Sequence, residues 1–242
     1  MKNLAFSILA LLMMTTTAQA QWFGGKKIKG NGERVTIERT TGNYDGVSVA
    51  GSFDIKLVKG KEGKLSITGD SNLLKHVTTE IKRGKLIIDS EDGYNLSYRK
   101  SIVVTVPVES VESLSVSGSG EIVGDFKLNE RNMDLRVSGS GDMNLDLDVN
   151  SVDATVTGSG EINLNGKASK AKFRVTGSGE VSARSMKVDD ADVTVTGSGD
   201  VSLTVTGTLE ARVTGSGDIT YYGNPAKTDF KTTGSGDIER GR

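Results

Sequence analysis

The 242-residue chain has no cysteine, two prolines, one histidine and one tryptophan, and its aromatic content is only 5%. Without cysteine there is no disulfide framework and no lipid anchor through an N-terminal Cys. With His76 as the one histidine, neither a His-based catalytic triad nor a multi-His metal site is expected, and His76 reads as a surface residue. So few bulky side chains cannot fill an irregular globular core. An excess of one charge is missing too: 30 basic residues stand against 31 acidic ones. That balance excludes a strongly basic nucleic-acid binder and gives no electrostatic drive toward anionic membrane.

The one long apolar run lies at the start. Lys2 is followed by Leu4 to Met14, broken only by Ser7, and then by Ala18-Gln19-Ala20. A basic start, a short apolar stretch and a small-x-small end describe an export signal over residues 1–20. The run is too short to remain as a membrane span, and no second one follows. Removal of residues 1–20 takes away Lys2 and no acid, leaving 29 basic and 31 acidic residues. The exported chain is expected in the periplasm, at the outer membrane or outside the cell.

What the chain has in abundance is glycine, 31 residues, and the glycine is periodic. Gly-Ser-Gly-acid-apolar begins at Gly118, Gly139, Gly158, Gly177, Gly197, Gly215 and Gly234, with spacings of 21, 19, 19, 20, 18 and 19 residues. A valine stands two before the first Gly in six copies (Val116, Val137, Val156, Val175, Val195, Val213), and Thr232 in the last. Around Gly139, the residues Leu135, Val137, Gly139, Gly141, Met143, Leu145 and Leu147 fall on alternate positions. Period-two alternation puts every apolar side chain and both glycines on one face of a strand, with Ser140 and Asp142 outward. Hairpins of an antiparallel sandwich would need turn signals every 8–12 residues and a matching half-repeat. A single unit near 19 residues instead predicts one coil of a right-handed parallel β-helix, a β-solenoid. Glycine at the corner avoids a collision of the inward side chain and tolerates a bent backbone. The predicted core comprises Val116, Ile122, Val137, Met143, Val156, Ile162, Val175, Val181, Val195, Val201, Val213 and Ile219.

The regular solenoid thus covers residues 114–242, preceded by an N-terminal cap with irregular coils over 34–113. Val47, Val49, Gly51, Phe53, Ile55 and Leu57 keep the coil parity, and Leu65, Ile67, Gly69, Ser71 and Leu73 echo it more weakly. Lys85–Asp89 and Ile102–Val106 read as strands, the second stopped by Pro107. A short helix is expected over Leu73–Ile81, and residues 21–33 read as a flexible leader.

Gly51-Ser52-Phe53-Asp54-Ile55, the segment Gly69 to Leu74, the serial Gly-Ser-Gly-Asp/Glu repeats and Tyr221 to Lys227 together resemble the head GIN domain family of putative auto-transporter adhesins. The resemblance covers about residues 40–240. It implies a secreted, all-β, helically wound domain and does not define a biochemical role. No translocator barrel follows the repeats, so self-transport is not part of the expectation.

Chemistry is harder to find. Glu121, Asp142, Glu161, Glu180, Asp200, Asp218 and Asp237 share one coil position and would stand about 4.8 Å apart in a stack. Neighbours at that distance repel by about 0.9 kcal/mol in bulk water. The ladder is the one metal candidate; Ca²⁺, however, takes six to eight converging oxygens. The alternative is a solvated row that accepts hydrogen bonds from the glycine-turn N–H groups and opposes aggregation. A second row alternates Ser115, Arg136, Thr155, Arg174, Thr194, Arg212 and Lys231, two residues after Asp134, Asp153, Lys172, Asp192, Glu210 and Asp229. Cross-coil pairs between these rows are expected to control register and solubility. Gly-x-Gly recurs at strand corners and not between a strand and a helix, so no phosphate loop or dinucleotide fingerprint is present.

Every candidate acid copies its neighbours, whereas an active site needs a non-repeated constellation. No catalytic residue and no cofactor is expected. The function expected is a non-enzymatic envelope module with an unidentified glycan or protein partner, whose faces or ends also offer surfaces for oligomerisation. The alternative is a carbohydrate-active β-helix enzyme, a polysaccharide lyase or hydrolase.

Overall fold

The computed structural model describes residues 25–242; the expected export signal, 1–20, and residues 21–24 of the expected leader lie outside them. In chain order the strands are β1 (Lys26–Lys29), β2 (Arg34–Thr40), β3 (Gly46–Gly51), β4 (Asp54–Lys59), β5 (Lys64–Asp70), β6 (Val77–Lys82), β7 (Lys85–Ser90), β8 (Tyr94–Ser97), β9 (Val103–Val108) and β10 (Ser113–Gly118). The repeats contribute β11 (Glu121–Gly139), β12 (Asp142–Gly158), β13 (Glu161–Gly177), β14 (Glu180–Gly197), β15 (Asp200–Val205), β16 (Thr208–Gly215), β17 (Ile219–Tyr222), β18 (Lys227–Gly234) and β19 (Ile238–Arg240).

From β10 onward every pairing is parallel and in repeat register. Val116 lies beside Val137, Val137 beside Val156, and so on through Val175, Val195 and Val213 to Thr232. The chain is a β-solenoid of about seven turns. All twelve core residues read from the repeats are buried, at 1% exposure or less. Each coil alone has too little apolar surface to fold; the columns formed by neighbouring coils provide the burial.

The spacing between copies varies because the bends of the coil absorb the difference. Register shifts between Val123 and Lys127 and between Ala183 and Lys187, on the bend that follows the strand after the glycine corner. A further bend is marked by a slip in inward parity, from Val149 to Val152 in β12 and from Ala168 to Ala171 in β13. The alternation read from the motif therefore holds through the glycine corner and resets on the far side of the coil.

Glycine is required at the corner for a sharper reason than inward crowding. The first Gly of each motif has φ between 114° and 127°, at Gly139, Gly158, Gly177 and Gly215 for example. The second is boxed in by the coil before it: a Cβ on Gly160 would lie 2.3 Å from the Gly141 carbonyl oxygen.

The N-terminal region combines coil strands with reversed ones. β3 and β4 are true coil strands, parallel to β10 and β11. β5 runs antiparallel to β2 and β9, and β6 runs antiparallel to β7, so this end is closed by reversed strands. The expected helix over 73–81 is a single 3-10 turn, Leu74–His76, followed by β6. Pro107 lies within β9 instead of ending the strand; β5 meets β9 only at Val103–Thr105, so no ladder bond from residue 107 is needed on that side. The described part of the leader is held too: β1 pairs with β8, and the Asn31 side chain donates to Ser71 Oγ at 2.8 Å. His76 is buried at 9% exposure, against the surface position expected, with Nδ1 2.7 Å from Glu91 Oε2 and its ring against Tyr94.

Candidate binding groove

Beyond the parity slip, each coil re-enters the sheet with an outward, inward, outward triplet. The outward residues at the start form the column Asn132, Ser151, Lys170, Asp190 and Thr208. Two positions later come Asp134, Asp153, Lys172, Asp192 and Glu210. Between them lie the buried residues Met133, Val152, Ala171 and Ala191. Two rows about 7 Å apart, with these buried residues between them, border a groove along the solenoid axis. Its volume is about 980 Å³, and it continues past Ser113 and Glu112 to Asp45, Arg83 and Lys85. At about 4.8 Å per strand it spans roughly 34 Å from the layer of Lys85 to that of Glu210.

The walls are organised by hydrogen bonds. Ser151 Oγ donates to Asn132 Oδ1 at 2.7 Å, and the Thr208 N–H donates to Asp190 Oδ1 at 2.8 Å. The acid row is tied to the neighbouring arginines, across coils at Arg174 and Arg212 as expected, but also within one coil at Arg136 and Arg212. Arg136 grips Asp134 through two nitrogens at 2.7 and 2.8 Å. Arg174 reaches back one coil to Asp153 at 3.0 Å, and Arg212 lies 3.5 Å from Asp192 and 3.3 Å from Glu210. Lys172 is 3.8 Å from Asp192. Lys170 has no carboxylate within 4.0 Å among the described residues, which leaves one free cation at mid-groove. The lining contains no histidine, cysteine or aromatic side chain.

The acid ladder lies apart from this groove, beside the glycine corner. Glu121, Asp142, Glu161, Glu180 and Asp200 stand in register on successive coils, with Asp218 and Asp237 below them. Most corner N–H groups do not use these carboxylates. Ser140 and Asp142 donate to the carbonyls of Gly118 and Gly120 at 2.8 and 3.0 Å, and the next coils repeat the pattern. Only toward the C-terminus do carboxylates take over, where the Asp218 N–H donates to Asp200 Oδ1 and the Asp237 N–H to Asp218 Oδ1. Asn144 links Glu121 to Asn163 through bonds of 3.1 and 3.0 Å. Partial burial, with Glu161 and Asp200 alongside, pushes the Glu180 carboxyl above the usual glutamate range. Among the described residues no three His, Cys, Asp or Glu side chains converge as a metal would need.

The repeats made the acid and arginine rows visible, but not the groove. Its first wall, Asn132 to Thr208, carries a different residue type in each coil, so it left no repeat signal. Only the parity slip before it marked the place.

Comparison with known proteins bears on what such a coil stack is. The profile of the family described as putative auto-transporter adhesin, head GIN domain, matches residues 43–225. The chain belongs to this adhesin family. No curated protein matches the chain. Among solved structures, a putative adhesin from Bacteroides fragilis superposes with a TM-score of 0.82 at 20% identity, covering 88% of this chain and 99% of the other. A putative adhesin from Parabacteroides distasonis gives 0.77 at 22% identity, over 89% and 100%. A putative lipid binding protein from the same species gives 0.74 at 26% identity, over 90% and 100%. For this head GIN domain protein, the matches below 25% identity establish the fold. Among its described residues, no helix is long and apolar enough to cross a membrane.

Proposed function

We propose that this head GIN domain protein is an exported, non-enzymatic binding module that holds an extended envelope glycan along its axial groove. Export rests on the Lys2, Leu4–Met14 and Ala18-Gln19-Ala20 pattern. The binding role rests on one observation: a groove runs along the stack as far as the coil of Thr208 and Glu210, and from Asn132 to Glu210 each coil adds a fresh pair of polar wall residues. A β-linked pyranose unit is close in length to one coil step, so a linear glycan can meet each pair in turn. The floor side chains Met133, Val152, Ala171 and Ala191 are at most 5% exposed. The lining is mixed, so the preference for sugar hydroxyls over an acyl chain rests on the paired polar wall residues and not on a lack of apolar surface.

Glycan-array binding of the whole exported protein tests this, with Lys170→Glu/Lys172→Glu as the groove variant. Binding to a linear glycan that the variant loses is the expected result. Equal binding by both places the site elsewhere. Shortening of the glycan on incubation favours the lyase or hydrolase reading, and binding to lipid vesicles in place of any glycan overturns the proposal.

A further inference from the structure

The last coil ends the stack on an open edge. β18 pairs with β16 on one side, and among the described residues it has no strand on the other. All eight of its residues are exposed, and Phe230, packed against Tyr221, is left 39% exposed. Its inward positions continue the columns of Leu209, Ala211 and Val213 as Thr228, Phe230 and Thr232. Its outward positions carry Asp229 and Lys231. A strand of this kind is a template for pairing with another chain unless something covers it.

We propose that the cover is β18 of a second copy, joined antiparallel about a two-fold axis through Phe230. Alternation allows only registers that set inward residues opposite inward ones. Centred on Asp229, such a pair would place Lys227 opposite Lys231 of the other copy; centred on Lys231, it would bring two lysines face to face. Centred on Phe230, it sets Asp229 opposite Lys231 on both sides of the axis, Thr228 opposite Thr232 twice, and Phe230 opposite Phe230. Opposite charges, Thr–Thr pairs and aromatic pairs are the cross-strand combinations that stabilise an antiparallel ladder. Among the described residues, Lys231 has no carboxylate within 4.0 Å, and Asp229 has only Arg212, at 3.8 Å. β19 lies in the same coil as β18, so the C-terminal end is level. The opposite end is stepped, because β2 adds a strand beyond β5 on one side of the coil while β6 ends the other. A level end matches its own twin better than it matches a stepped one, and a two-fold contact of this kind closes at the dimer.

Sedimentation analysis of the whole exported protein, over a hundredfold range of concentration, tests the proposal. The wild type is expected to pass from monomer to dimer and no further. Lys231→Asp and Asp229→Lys should each weaken the association about tenfold or more, with unchanged thermal unfolding at concentrations where the wild type is monomeric, because both sites are exposed. The double variant Asp229→Lys/Lys231→Asp should restore it, since each swapped residue then faces its swapped partner. Because the chain has no native cysteine, Phe230→Cys should form a disulfide-linked dimer on oxidation. A monomer at every concentration overturns the proposal, and so does failure of the double variant to restore the dimer. An open series of oligomers, or cross-linking between Ile81→Cys and Phe230→Cys in preference to Phe230→Cys with itself, would show head-to-tail stacking and would overturn it equally.

Discussion

Gly141 sits so close above Gly120 that a Cβ on it would lie 2.5 Å from the Gly120 carbonyl oxygen and 2.5 Å from Cγ1 of Val116. The obstacle is the backbone of the previous coil, which is itself held by the coil before that. Room for one methyl would require the stack to part locally.

A glycine-to-alanine scan therefore separates two classes. Gly160→Ala should destabilise by about 3 kcal/mol, because its Cβ meets backbone at 2.3 Å and cannot relax alone. Gly124→Ala should be neutral or slightly stabilising, since the nearest atom to its Cβ is the Leu145 side chain at 3.5 Å. Chemical denaturation of both variants checks this; equal losses would contradict the stacking explanation.

Adjacent residues across the sheet should differ as strongly. Val175 is 1% exposed and Thr176 is exposed. Val175→Asp buries a charge without a partner and should cost about 4 kcal/mol or more, enough to unfold a marginal protein. Thr176→Asp should change stability by about 0.5 kcal/mol or less. Thermal unfolding monitored by circular dichroism distinguishes the two.

The acid ladder gives a pH signature. The folded chain holds the Glu180 proton more tightly than the unfolded chain, because burial and the neighbouring acids raise its pKa. That contribution to stability is present below the unfolded carboxyl range and is lost as pH rises through the raised value. Glu180→Gln should accordingly be more stable than wild type at neutral pH, by about 0.5 kcal/mol or less at this exposed site, with the difference vanishing in acid. Replacing Glu161, Glu180 and Asp200 together by Gln, Gln and Asn should enlarge the effect. Ca²⁺ should shift the wild-type melting temperature no more than Na⁺ at equal ionic strength. A Ca²⁺-specific rise abolished by the triple variant would make the ladder a cation site.

Export should leave a defined end. Mass spectrometry of the protein recovered from the envelope is expected to find Gln21 first, because Ala18 and Ala20 satisfy the small-residue requirement for cleavage. A folded exported protein that keeps Met1 would contradict this.

The amino-acid sequence by itself determined the solenoid, its repeat length, its inward columns from Val116 to Ile219 and the acid–arginine rows. The reason is that stacking imposes the same contacts on every coil, so each requirement is written several times in the chain. Tertiary structure decided what occurs only once. The reversed strands β5 and β6, the burial of His76 and the placement of Pro107 inside β9 depend on which strand happens to lie beside them. The groove belongs to this second class: its first wall changes from Asn132 to Ser151, Lys170, Asp190 and Thr208, and only the turn of the chain after Val149 and Ala168 sets these unlike residues in one row. The open edge at Phe230 belongs there too, because a strand is an edge only when nothing is stacked on it.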